Sequence, residues 1–121
     1  MIMTAAVLGC VLLAGLAVFQ GLLVAGAPLG RFAWGGQHRV LPTRLRIGSV
    51  VAIVTYALVA VVLVAAVRQA GGVADVAVWV LTGYFVLGVG LNAVSRSRAE
   101  RLVMTPVALL LAGCCLLVAL G

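Results

Sequence analysis

The chain has no lysine, and its 121 residues include one aspartate (Asp75), one glutamate (Glu100) and one histidine (His38). So short a supply of titratable groups argues against acid–base chemistry, which usually draws on a second group beside the first. His38 is the sole candidate partner for Glu100, and nothing in the sequence places the two together. The three cysteines, Cys10, Cys114 and Cys115, lie inside apolar runs, form no CxxC pair and have no His or carboxylate beside them. That pattern supports neither a zinc nor a redox motif, so no metal and no cofactor is expected. The thiols read as small apolar packing residues.

What is abundant is hydrocarbon: 66% of the residues are hydrophobic and 8% are charged. A soluble domain runs nearer half apolar and a quarter charged. In water a chain of this composition would expose a large apolar patch and aggregate; a bilayer removes the difficulty. The formal charge of +6 comes from eight arginines that cluster between apolar runs. They therefore read as topology signals and headgroup contacts, and nucleic-acid binding is set aside.

Four apolar runs predict an all-α, single-domain bundle of four transmembrane helices over approximately 2–26, 47–67, 76–94 and 102–120. The first run carries no charge and exceeds the length of a signal-peptide core, which predicts a retained helix. The connection 27–46 holds Pro28, Pro42, several glycines, Arg31, Arg39, Arg44, Arg46 and His38. Phe32 and Trp34 among those charges suit a loop at headgroup level. Gln69 to Asp75 form a polar turn, Trp79 suits an interfacial aromatic, and 95–101 is a tight charged loop. Pro106 falls in the first turns of the fourth run, where its missing N–H costs little.

Orientation follows from charge. The first and third connections share one side and carry seven arginines, against Arg68 on the other. Short arginine-rich loops stay cytoplasmic, which predicts an N-out, C-out multi-pass protein of the plasma membrane. Ala17, Gly21 and Ala25 recur every fourth residue, a small-residue stripe suited to close helix approach within the chain or in a homo-oligomer. Gly83 and Gly88 read the same way on the third run. Cys10 and Cys114 fall at similar depth, about 10–12 Å from the outer surface by helical rise, which suggests that helices one and four meet.

The polar residues of the spans gather toward the arginine-rich side: Gln20, Ser49, Asn92, Ser95 and Thr105. Such side chains seek partners inside a bundle, bonding across helices and to backbone at the helix ends. With Arg44, Arg46 and Arg96 just beneath them, the same residues outline a candidate polar pocket for an anion such as a phospholipid headgroup. Glu100 stands four residues from Arg96, a spacing that on one helix makes the two neighbours and a charge pair. No Asp, Glu, His, Lys or Arg lies within any of the four runs, which argues against a transmembrane proton relay.

The segments Gly26-Ala27-Pro28-Leu29-Gly30, Trp34-Gly35-Gly36, Leu41-Pro42-Thr43-Arg44-Leu45-Arg46 and Ser95-Arg96-Ser97-Arg98-Ala99-Glu100-Arg101, with Thr105-Pro106, carry a resemblance. Together they resemble a group of small, uncharacterised bacterial four-transmembrane-helix integral membrane proteins. The resemblance implies four spans and a bacterial plasma membrane; it implies no activity and no catalytic residue. Three functional classes fit: a non-enzymatic accessory or lipid-interacting component, with membrane lipids and a protein docked on the cytoplasmic loops as partners; a small oligomeric channel or transporter for an anion or lipid-like substrate; and an intramembrane enzyme on a lipid phosphate.

Overall fold

The computed structural model describes residues 1–68 and 72–121. Its elements are α1 (Ile2–Val24), two single 3-10 turns at Gly30–Phe32 and Trp34–Gly36, α2 (Thr43–Arg68), α3 (Val73–Ala93) and α4 (Arg98–Leu120). The protein is all-helical, and each of the four helices is long and apolar enough to cross a membrane. The polar turn read over 69–75 lies partly outside the described residues. Its described end is helical, with Asp75 in the first turn of α3, where a carboxylate meets the positive end of the helix dipole.

Local chemistry sets the helix ends. After Val24 the chain makes a Schellman turn: Gly26 takes φ +95°, the Ala27 N–H donates to Leu22 O (2.9 Å) and the Gly26 N–H to Leu23 O (3.1 Å). The α2 helix begins right after Pro42, whose carbonyl accepts from the Leu45 and Arg46 N–H groups, both at 3.0 Å. It therefore starts four residues before the run at 47 and takes in Arg44 and Arg46. Ser97 caps α4, its Oγ accepting from the Glu100 N–H at 3.3 Å. Arg98, Glu100 and Arg101 are thus first-turn residues of a helix that begins earlier than the apolar run suggests.

That earlier start corrects two readings. Pro106 sits in the third turn of α4, inside the helix, so the Leu102 carbonyl loses its intrahelical donor. Arg96 precedes the Ser97 cap and shares no helix face with Glu100. Among the described residues no ion pair joins them, and Glu100 is bonded elsewhere.

The helices pack as two antiparallel hairpins, α1 with α2 and α3 with α4, and α1 also lies along α4. An even number of spans returns both termini to one end, where Gly121 lies against Ile2. The solid core occupies that end, built on Leu13, Leu63, Val78, Leu111 and Cys115. Close approach there occurs at Gly9, where an added Cβ would stand 3.1 Å from Leu63 Cδ1 and 3.5 Å from Cys114 Cβ. Helices one and four do meet at the depth of Cys10 and Cys114, with Gly9 as the contact. Gly83 and Gly88 are not packing glycines within the chain: nothing lies within 4 Å of a Cβ built on either. The same holds at Gly21, and Ala25 is exposed. Long valine- and leucine-rich faces, Val50, Val54, Leu58 and Val61 on α2 among them, point outward. No water-soluble bundle leaves such faces bare.

Candidate functional site

At the arginine-rich end the helices do not close on one another, and the connection between α1 and α2 folds beneath them as a floor. Three glycines make this possible. Gly30 packs so tightly on the His38 carbonyl that no Cβ fits, and its N–H donates to Arg39 O at 2.9 Å. Gly35 and Gly36 both hold left-handed backbone, φ +73° and +71°, directly after Trp34 at φ +53°. Such a run is accessible to glycine and strained for tryptophan. A Cβ on Gly36 would fall 2.5 Å from Ser97 Cβ, so the two arginine-rich connections touch here.

The turn lays the Trp34 indole against α2 while leaving it 42% exposed. Gly48 provides the flat seat, where a Cβ would meet the indole ring at 2.7 Å, and the Trp34 Nε1–H donates to Ser49 Oγ at 3.3 Å. Phe32, two residues earlier, meets Phe19 of α1 edge to face at 6.4 Å. The Arg31 guanidinium covers the Phe32 ring at 4.8 Å.

The floor is locked to α4. The Gly35 N–H donates to Glu100 Oε2 at 3.0 Å, and the Ser97 hydroxyl donates to Arg31 O. Ser97-Arg98-Ala99-Glu100 has capping-box spacing, which would return the glutamate to its own helix start. Half of that box is made; the carboxylate has been turned outward from α4 to hold the connection 65 residues away in sequence.

Above the floor lies a cavity of about 260 Å³. Six of the chain's seven aromatic residues line it: Phe19, Phe32, Trp34, Tyr56, Tyr84 and Phe85. Its polar lining includes Gln20, Asn92 and Glu100. Tyr84, Leu87 and Leu91 line it while being more than half exposed, so the cavity communicates with the apolar flank of the bundle. Gln20 is 8% exposed; its side chain interacts with the Tyr56 hydroxyl, and its Oε1 has no hydrogen-bond partner. Left dry, an unpaired buried amide oxygen costs about 1–3 kcal/mol.

Of the residues singled out in the sequence, Gln20, Asn92 and Glu100 come together in this cavity, and Ser49 stands one hydrogen bond behind its Trp34 wall. The others do not join them. Arg44 and Arg96 are exposed, and Arg46 donates from Nε to Leu41 O at 2.8 Å while lying against Gly26. Thr105 Oγ1 is buried without a partner but does not line the cavity. Bonding between spans is also sparser than expected. Asn92 Nδ2 donates to Gly88 O of its own helix at 2.8 Å, and among the four expected residues only Gln20 reaches another membrane helix.

No family model, curated protein or solved structure matches the chain. The cavity itself is therefore the ground for a functional reading. Its aromatic wall went unread in the sequence because Phe19, Tyr56, Tyr84 and Phe85 look there like ordinary apolar residues of separate spans. Gln20 beside Phe19 was the one local signal that a polar, aromatic-walled site existed on α1.

Proposed function

We propose that this chain is a non-enzymatic, lipid-interacting component of a bacterial plasma membrane that holds an amphiphilic molecule in the cavity above its folded floor. The orphaned Gln20 Oε1, inside an aromatic-walled cavity that opens to the apolar flank, carries the reading. Ligand sites are characteristically apolar with a few convergent polar groups. This one is entered from the side on which hydrocarbon lies. The seven arginines of the same end face the cytoplasm by the positive-inside rule and contact lipid headgroups there, which gives N-out, C-out.

The small-residue stripe Ala17, Gly21 and Ala25 favours a second copy as partner, since Gly21 has no close neighbour within the chain and Ala25 is exposed. An oligomer of this kind is what the channel or transporter reading requires.

Native mass spectrometry of protein released gently from its membrane tests the binding reading. A retained amphiphile in the cavity is expected, and Gly88→Leu should abolish its retention while leaving lipid held by the exposed arginines in place. Gly88 lines the cavity with open space at its Cβ, so leucine there fills the cavity without a clash in the helix. A wild-type protein that emerges bare, and binds no amphiphile added afterwards, overturns the reading.

A further inference from the structure

The geometry points to a monovalent, weakly hydrated organic cation with an apolar body as the cavity's occupant, held by the Glu100 carboxylate and the aromatic side chains that line the cavity. This rests on the binding reading above and names its ligand class. Glu100 is 9% exposed and, among the described residues, is the one formally charged side chain lining the cavity. The donor it meets is the Gly35 backbone N–H at 3.0 Å. A buried carboxylate ordinarily stands against a countercharge, and among the described residues no arginine forms an ion pair with this one. Arg46 and Arg101 donate to the Leu41 and Ser95 carbonyls, at 2.8 and 2.9 Å, and Arg31 lies over the Phe32 ring. A cation entering the cavity supplies the missing charge.

The walls select which cation. Aromatic faces attract positive charge through the ring quadrupole and recognise quaternary ammonium groups in this way. A metal ion or primary ammonium would surrender strong hydration for rings, one carboxylate and two amides. A delocalised or alkylated cation gives up little hydration, and its apolar body suits entry past Leu87 and Leu91. The unpartnered Gln20 Oε1, itself an acceptor, adds a second negative dipole within the cavity. An anion would face the carboxylate and that dipole together.

The test uses three probes of nearly one shape: benzyltrimethylammonium, its neutral carbon isostere neopentylbenzene, and the anion phenylmethanesulfonate. In a Trp79→Phe background Trp34, in the cavity wall, is the sole tryptophan and reports occupancy by fluorescence. The cation should bind at least tenfold more tightly than the neutral isostere, the anion should not bind, and E100Q should erase the difference between cation and isostere. E100Q keeps an acceptor for the Gly35 N–H, and a cooperative thermal unfolding transition in detergent shows that the variant has folded. Equal cation and isostere binding by the wild type overturns the cation assignment and leaves the binding reading standing. Binding of none of the three overturns both. With a choline-headed lipid added in bicelles, displacement of the probe assigns the cation to a lipid headgroup, and failure to displace assigns it to a free molecule; both follow from a cation site.

Discussion

Glu100 Oε2 accepts the Gly35 backbone N–H at 3.0 Å, joining the first turn of α4 to the centre of the connection between α1 and α2. This bond makes the floor of the cavity and its carboxylate parts of one unit. Glu100→Ala leaves the Gly35 N–H without that acceptor, at an expected cost of about 1–3 kcal/mol. Glu100→Gln retains an acceptor and should cost less. Thermal unfolding in detergent, followed by the fluorescence of Trp34, should rank the two variants in that order; equal loss in both would mean that charge, rather than the hydrogen bond, secures the floor.

Gly35 and Gly36 share a left-handed backbone but differ in surroundings, which separates strain from contact. Gly35→Ala meets nothing within 4 Å, so its cost is the conformational one, about 1–2 kcal/mol. Gly36→Ala adds a collision with Ser97 Cβ at 2.5 Å, against an element that cannot yield without losing the α4 cap. Limited proteolysis between 27 and 42 should accelerate far more for Gly36→Ala than for Gly35→Ala.

Gly9 and Gly21 both lie on α1, and only Gly9 is in close contact within the chain. Gly9→Leu should split α1 from α2 and α4 and lower the unfolding temperature sharply, since large additions at a tight contact typically cost 1–3 kcal/mol or more. Gly21→Leu has open space and should leave the monomer's stability nearly unchanged. If the stripe joins two copies, Gly21→Leu shifts the oligomeric state seen by light scattering. An unaltered mass would show that the stripe faces lipid.

Topology has a direct reading. Alkaline phosphatase fused after Gly121 should be active and a green fluorescent protein fusion at the same place dark, with the reverse pattern for fusions truncated after Ser95. Replacing the exposed Arg44, Arg96 and Arg98 by glutamine should weaken retention of anionic lipid in native mass spectra and erode the preference for one orientation. A bright carboxy-terminal fluorescent fusion in the wild type would invert the assignment.

The four helices and their approximate places were legible in the linear sequence because a bilayer forces each apolar run to satisfy its own backbone hydrogen bonds. That constraint is local, and it overrides the strand preference of a valine-rich segment such as α2. The end-to-end gathering of Gln20, Asn92 and Glu100 was legible for a similar reason, since helical rise converts position along a run into depth. Helix starts were less so: Pro42 and the Ser97 cap, both outside the apolar runs, drew Arg44, Arg46 and Glu100 into helices and moved Pro106 away from a helix start.

The tertiary structure alone decided the rest. Whether Glu100 faces Arg96, Gln20 or the Gly35 N–H depends on where a separate connection comes to lie, and no periodicity within α4 encodes that. Trp34 lies against α2 because Gly48 leaves room there and Ser49 offers an acceptor, contacts between segments that the chain brings together only on folding. Small residues show the same division. The stripe at Ala17, Gly21 and Ala25 has the spacing of an interface, yet the tight approach within the chain is at Gly9, because contact depends on what stands opposite a residue, and a one-dimensional pattern records only what stands beside it.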